Sequence, residues 1–207
     1  MTAILRAIRP EISSWHKQPE GAERRASPRF RTIFRVAQVR RARDVGLWRI
    51  RNISDEGMML LTSVPVQVGE KLVLALSDRV TLAATAMWWD GERCGVAFDE
   101  PIDCAALLEA LAGEQKAPGH RPLRLPVDRR ALAYCDRGLH TVHLYDISQH
   151  GAGMTHDGCF QAGMTTKLHF DTGDEYRGVV RWNRDGKAGI FLVEPIPCER
   201  LESALRF

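Results

Sequence analysis

Two arginines separated by three residues, Arg25 and Arg29, are followed about one hairpin later by Asn52, Ser54 and Gly57, and these residue types in this order can supply the two halves of one anion pocket. A guanidinium is planar and permanently charged, and its parallel N–H donors can hold a phosphate or the O6/N7 edge of guanine with two bonds at once, which a lysine cannot do. Arg24 adds a third cation beside the first of the pair. Pro28 blocks helix continuation and biases Ser27 towards extended geometry, so the arginines are expected on an irregular arm that can fold over a ligand. Trp48 to Ser54 alternates in the manner of a strand, which puts the Asn52 amide and the Ser54 hydroxyl on one face. Gly57 then turns the chain without a side chain in the way, so that a bulky planar group can approach.

The elements that must position these groups read mainly as β. Residues 30 to 43 and 46 to 53 are expected as two strands joined by a turn at Asp44, Val45 and Gly46. Further strands are expected over Gly57–Thr62, Lys71–Leu76, Thr81–Trp89 and Arg93–Phe98, with turn signals between them. Asp103 can cap a short helix whose Ile102, Ala105, Leu108 and Ala112 share a face before Gly113 stops it. Strands followed by one terminal helix predict a small antiparallel barrel lidded by that helix.

The pattern then recurs. Ser54 and Ser148, Gly57 and Gly151, Trp88 and Trp182, and Pro101 and Pro195 each lie 94 residues apart, which argues for a tandem duplication. The expected organisation is a leader over 1–22 with a short helix from Thr2 to Ile8, a first barrel over 23–113, a linker over 114–120 and a second barrel over 121–207. In the second barrel Leu123–Cys135 and Gly138–Ile147 repeat the opening hairpin, Tyr176–Asn183 and Lys187–Val193 the closing one, and Pro197–Phe207 forms a second, shorter helix. Asp146, Ser148 and Gly151 preserve the polar half of the motif. Aligning Arg124 with Arg29, however, puts His120 where Arg25 stood, so the second copy lacks the paired arginines and is expected to serve packing or partner contact.

Arg25-x-x-x-Arg29 followed by Asn52-x-Ser54-x-x-Gly57 resembles the signature of PilZ domains, bacterial receptors for the second messenger cyclic di-GMP. Trp88, Trp89 and Gly95-Val96-Ala97-Phe98 are similar to the family's closing strand pair. The resemblance implies that Arg25 and Arg29 clamp phosphate and guanine edges, that Asn52 and Ser54 meet base and phosphate from the barrel surface, and that Gly57 leaves room. Arg24 matches a frequent additional arginine that stacks on or bonds a second nucleotide, and the family's first polar position accepts Asp or Asn. The fold it implies is two tandem PilZ-like barrels, each followed by a short helix. The function it implies is a cyclic di-GMP receptor that passes its signal to a downstream protein partner.

Composition bounds the alternatives. A hydrophobic content of 44% suits a globular chain, and no apolar run approaches the roughly 20 residues that span a bilayer. No secretory signal pattern opens the chain and the five cysteines have no close pairs, so a cytoplasmic location with reduced, core thiols is expected. Arginines concentrate between Arg24 and Arg51, which favours an anionic partner, although most of them read as a solvated strand face. His140, His143, His150 and His156 have no zinc-knuckle spacing, and Asp146, Ser148 and His150 lack a nucleophile elbow, so neither a metal nor catalysis is expected. Two rivals are kept. One is a barrel that binds single-stranded nucleic acid, opposed by an aromatic content of 7% and by the expectation that Trp88 and Trp182 lie in barrel cores. The other is a ligand-free adaptor.

Overall fold

The computed structural model describes residues 30–207, with side-chain surroundings from residue 35 onward. Arg24, Arg25, Arg29 and the expected leader helix lie outside the described residues. Period-two alternation gives each strand one apolar face, and a sheet with such a face buries it by closing on itself. Two closed six-stranded antiparallel barrels result. The first contains β1 (Phe30–Arg40), β2 (Val45–Ile53), β3 (Gly57–Leu61), β4 (Lys71–Ala75), β5 (Thr81–Trp89) and β6 (Arg93–Phe98), in the order β1-β2-β3-β6-β5-β4 with β1 pairing β4. Helix α1 (Cys104–Lys116) follows. The second contains β7 (Leu125–Cys135), β8 (Gly138–Ser148), β9 (Gly151–Thr155), β10 (Thr165–His169), β11 (Glu175–Arg184) and β12 (Lys187–Leu192) in the matching order.

The duplication extends to individual hydrogen bonds. Phe98 N donates to Glu56 O as Leu192 N does to His150 O, Ile102 N to Asp55 O as Ile196 N to Gln149 O, and Gly69 N to Ala86 O as Gly163 N to Val180 O. Each interior is apolar: Trp48, Leu60, Leu72, Leu74 and Ala84 are fully buried in the first barrel, and Leu144, Ile147, Met154, Phe160 and Leu168 in the second.

Five expectations are corrected. The first hairpin turns at Arg41–Asp44, closed by Arg41 N donating to Asp44 O at 2.8 Å, and Val45 and Gly46 already belong to β2. Helix α1 is capped by Asp103, but it runs through Gly113 to Lys116. Its last turn is held by Arg35, which donates to Leu111 O at 2.8 Å and to Gln115 Oε1 at 3.0 Å, while the left-handed conformation that frees the chain comes later, at Gly119 with φ 81°. Its buried residues are Cys104 and Leu111, with Ala105 and Ala112 exposed.

The second barrel is followed not by a helix but by a single 3-10 turn, Cys198–Leu201. The tail beyond it crosses to the first barrel: Trp48 Nε1 donates to Glu202 O at 2.8 Å, and Ala204 N donates to Val45 O at 2.8 Å.

Trp88 and Trp182 are not core residues; they are 40% and 38% exposed. Irregularities in pairing between Ala86 and Trp88, and between Val180 and Trp182, interrupt the alternation and put the tryptophans outside. Each ring lies on a glycine of the neighbouring strand, so that a Cβ on Gly95 would stand 2.1 Å from Trp88 Nε1 and one on Gly189 2.0 Å from Trp182 Nε1. Trp89, not Trp88, packs against the first core.

Candidate functional site

Strand β2 carries the site. Leu47, Arg49 and Arg51 alternate along its outer face: Leu47 is buried among residues of the second barrel, Arg49 pairs with Glu199 at 2.5 Å, and Arg51 is exposed with no ion pair among the described residues. A pairing irregularity between Ile50 and Asn52 then interrupts the alternation, leaving Asn52 half-buried opposite Met59 of β3 and Arg31 of β1.

Beyond Asn52 the chain forms a tight turn. Ser54 N donates to Gly57 O at 2.9 Å, and the buried Ser54 hydroxyl donates to the same carbonyl at 3.3 Å. Gly57 meets β6 so closely that a Cβ would stand 2.2 Å from Val96 O, so the glycine is required by strand packing whatever else occupies the surface. Asp55 ties the turn to α1 by accepting from Cys104 N at 3.1 Å. Alternation predicts Asn52 and Ser54 side by side on one face; in the structure Asn52 is half-buried, whereas Ser54 is buried with its hydroxyl turned to Gly57 O.

A cleft of about 450 Å³ opens between the barrels, lined on β2 as far as Arg51 and by none of Asn52, Ser54 and Gly57. Arg35, Arg49, Arg51 and Gln115 line it from the first barrel and its helix, and His120, Arg121 and Gln149 from the second half of the chain. Among the described residues four arginines and no carboxylate line it, and one of the four, Arg49, is paired with Glu199 outside the lining. A concave surface so charged concentrates anions. The arginines of β1 and β2 stood in the sequence as a basic run but read as a solvated strand face. Their period-two spacing was the available signal. The contribution of His120, Arg121 and Gln149 depends on how the barrels are set against each other, which no local pattern encodes.

The second copy gives a complete view of the equivalent turn. Ser148 Oγ donates to Gly151 O at 3.3 Å, and a Cβ on Gly151 would meet Ile190 O at 2.9 Å. Arg124 immediately precedes β7, as Arg29 immediately precedes β1, and its guanidinium pairs with Asp146, the residue 94 positions after Asn52. Gln38 Nε2 donates to Arg124 O at 2.6 Å, joining this corner to the first barrel. The structure thus brings Arg124, Asp146, Ser148 and Gly151 together.

Four of the five cysteines are buried, Cys159 is half-buried, and all are free. Burial pushes the Cys94 thiol up to about 11 and that of Cys198 up to about 12, so neither is a thiolate nucleophile near neutral pH. Among the described residues no helix is long and apolar enough to cross a membrane.

A family model described as the PilZ domain matches residues 23–113 and again 119–202. No curated protein matches the chain. Among solved structures, the PlzA protein of Borreliella burgdorferi in complex with c-di-GMP is 16% identical with a TM-score of 0.36, covering 80% of this chain and 84% of that one. The Bacillus subtilis inhibitor of motility (MotI/DgrA) is 10% identical with a TM-score of 0.33, covering 83% and 94%. Escherichia coli YcgR in complex with c-di-GMP is 9% identical with a TM-score of 0.33, covering 80% of each chain. At these values nothing about ligand or role passes from those structures to this chain. The two family matches do not have that weakness, since together they span both barrels: the chain belongs to the PilZ domain family, with two copies in tandem.

Proposed function

We propose that the protein is a cyclic di-GMP receptor whose ligand is held by Arg24, Arg25 and Arg29 against Asn52, Ser54 and Gly57, in a first unit spanning 23–113. The observation that carries this reading is the Arg124–Asp146 pair. In the second copy, an arginine one residue before the first strand reaches the polar position on the second strand. Phe30 and Arg31 pair with Ile53 and Asn52 as Leu125 and Pro126 pair with Ile147 and Asp146, and on this proposal Arg29 stands to Asn52 as Arg124 does to Asp146. Arg25 lies four residues further back, within roughly 15 Å of chain. Phe30, where β1 begins, lies opposite Ile53, the residue before the turn, so the proposed arm has only that short length of chain to span. With His120 where Arg25 stands in the first copy, the other copy retains one cation of the pair, Arg124, so a single ligand-binding unit is the simpler arrangement.

Ligand drawing the arm onto the β2 surface would change what the cleft presents to a downstream protein partner, which makes the molecule an effector without chemistry of its own. The exposed Trp88 and Trp182 remove one argument against binding of single-stranded nucleic acid, so the test includes that ligand. Calorimetric titration of cyclic di-GMP into the wild type should give saturable binding, with Arg25→Ala and Arg29→Ala each weaker by about 1.5 to 3 kcal/mol, roughly ten- to more than a hundredfold. A short single-stranded DNA should bind more weakly, with a steep salt dependence. Equal affinities in all three proteins, or a preference for the oligonucleotide, would overturn the assignment.

A further inference from the structure

We propose that the start of β8 and the turn after β9 form a site for a first-row divalent transition cation, with His140, Asp157 and Cys159 as its protein ligands. The ligand-capable atoms of the three side chains all lie within 4.8 Å of one another. Tetrahedral coordination with bonds of about 2.0 to 2.3 Å needs donor separations of roughly 3.3 to 3.8 Å, so a contraction of about 1 Å, within reach of side-chain torsions, completes the set. A ring nitrogen, a carboxylate oxygen and a thiol sulfur together suit zinc, cobalt or nickel, whereas magnesium and calcium take oxygen alone. Three protein donors leave one position for water or an exogenous group.

The three groups already contact one another, with the Cys159 thiol hydrogen-bonded to the Asp157 carboxylate, and two further observations bear on how firmly they are held. The Asp157 carboxylate meets His140 Nδ1 at 3.3 Å and Cys159 N at 3.3 Å, both long for hydrogen bonds. Among the described residues His140 Nε2 is the one buried side-chain nitrogen or oxygen with no partner. The turn around them is nonetheless firmly held. Gly158 N donates to His156 Nδ1 at 2.8 Å, His156 Nε2 meets Asn183 Oδ1 at 3.0 Å, and Asn183 Nδ2 donates to Phe160 O at 2.5 Å. The His140 and His156 rings both stand edge-on to Phe160, with centroids 5.7 and 5.4 Å away. Donors with long contacts on an anchored turn form a preorganised cation site.

From the sequence no metal is expected, because His140 and His143 point to opposite faces of a strand and no pair of histidines has zinc-knuckle spacing; Asp157 and Cys159 carry no local signal that joins them to His140. Pairing of β8 with β9 assembles what the chain separates. The site lies six residues along β8 from Asp146, about 20 Å away, so it does not depend on the nucleotide reading.

The test uses the full-length, tag-free protein stripped with chelator and titrated with Co²⁺ alone, then with Zn²⁺. The expected result is one Co²⁺ per chain with a thiolate-to-cobalt charge-transfer band that Zn²⁺ abolishes. Cys159→Ser should lose the band, His140→Gln and Asp157→Asn should each weaken binding at least tenfold, and Cys135→Ser should retain both. Circular dichroism of every variant separates loss of metal from loss of fold. Cobalt uptake no greater than that of a variant combining His140→Gln, Asp157→Asn and Cys159→Ser, or a band that persists in Cys159→Ser, would overturn the proposal.

Discussion

Ser54 and Ser148 occupy the same turn in the two copies, and each hydroxyl donates to a glycine carbonyl at 3.3 Å. In the first copy that carbonyl also receives Ser54 N at 2.9 Å, so the hydroxyl adds a second, longer bond to an acceptor already served. Removing either hydroxyl should therefore cost little stability, at most about 1 kcal/mol. The two positions differ in what the proposed function asks of them, since the first copy has the paired arginines. Ser54→Ala should weaken cyclic di-GMP binding about two- to tenfold, the effect of one neutral hydrogen bond, while Ser148→Ala leaves it unchanged. The measurement is calorimetry beside thermal melting of both variants. Equal effects on affinity would mean that the hydroxyl acts only through the turn.

The first hairpin depends on an ion pair between elements distant in sequence. Arg41, at the β1–β2 turn, donates from Nε to Glu70 Oε1 at 2.6 Å and from Nη2 to Glu70 Oε2 at 2.8 Å, and also to Pro65 O at 2.9 Å. The Arg41 guanidinium, aided by a bond from Gln67 N, holds the Glu70 carboxyl below the usual carboxylate range. A folded-state value below the unfolded one contributes stability that is present above the unfolded pKa, about 4.3, and lost as pH falls through the folded value. Melting temperature should therefore drop more steeply below about pH 4.3 in the wild type than in Glu70→Gln, the two curves converging as acid is added. Parallel acid limbs would remove Glu70 from the account.

At this same scale the sequence was most legible. Thr81–Trp89 and Arg93–Phe98 could be read to the residue, because alternation and turn signals are local properties. Other features arise from contacts that alternation does not carry. The outward turn of Trp88 follows from a one-residue irregularity in pairing, and the extension of α1 through Gly113 is held by Arg35, 76 residues from Leu111. The motif named Asn52, Ser54 and Gly57 but not Arg51, Arg121 and Gln149, whose roles exist only once two barrels enclose a cleft.

At the scale of the whole molecule the two barrels are joined by a crossing of buried groups. Glu202, beyond the second barrel, is 5% exposed, and its carboxylate accepts from Ser63 N at 2.7 Å and from Ser63 Oγ at 2.8 Å. Gly46 admits this tail, since a Cβ there would stand 1.9 Å from Glu202 O. In the opposite direction Leu47, on β2 of the first barrel, is 1% exposed within the core of the second. Its neighbour Trp48 belongs to the first core, so one strand serves two interiors. Leu47→Ala should cost about 2 to 5 kcal/mol, as large-to-small changes in packed sites do, and much of that loss should fall on the barrel that does not contain the mutated strand. Hydrogen exchange followed by mass spectrometry can locate it. Leu47→Ala should accelerate exchange in β8 and β12 as well as β2, whereas Leu60→Ala, fully buried in the first core alone, should act mainly on β1 to β6. If β8 and β12 exchange at wild-type rates in Leu47→Ala, the barrels are thermodynamically independent, and a ligand on β2 would have no route to the second barrel through Leu47.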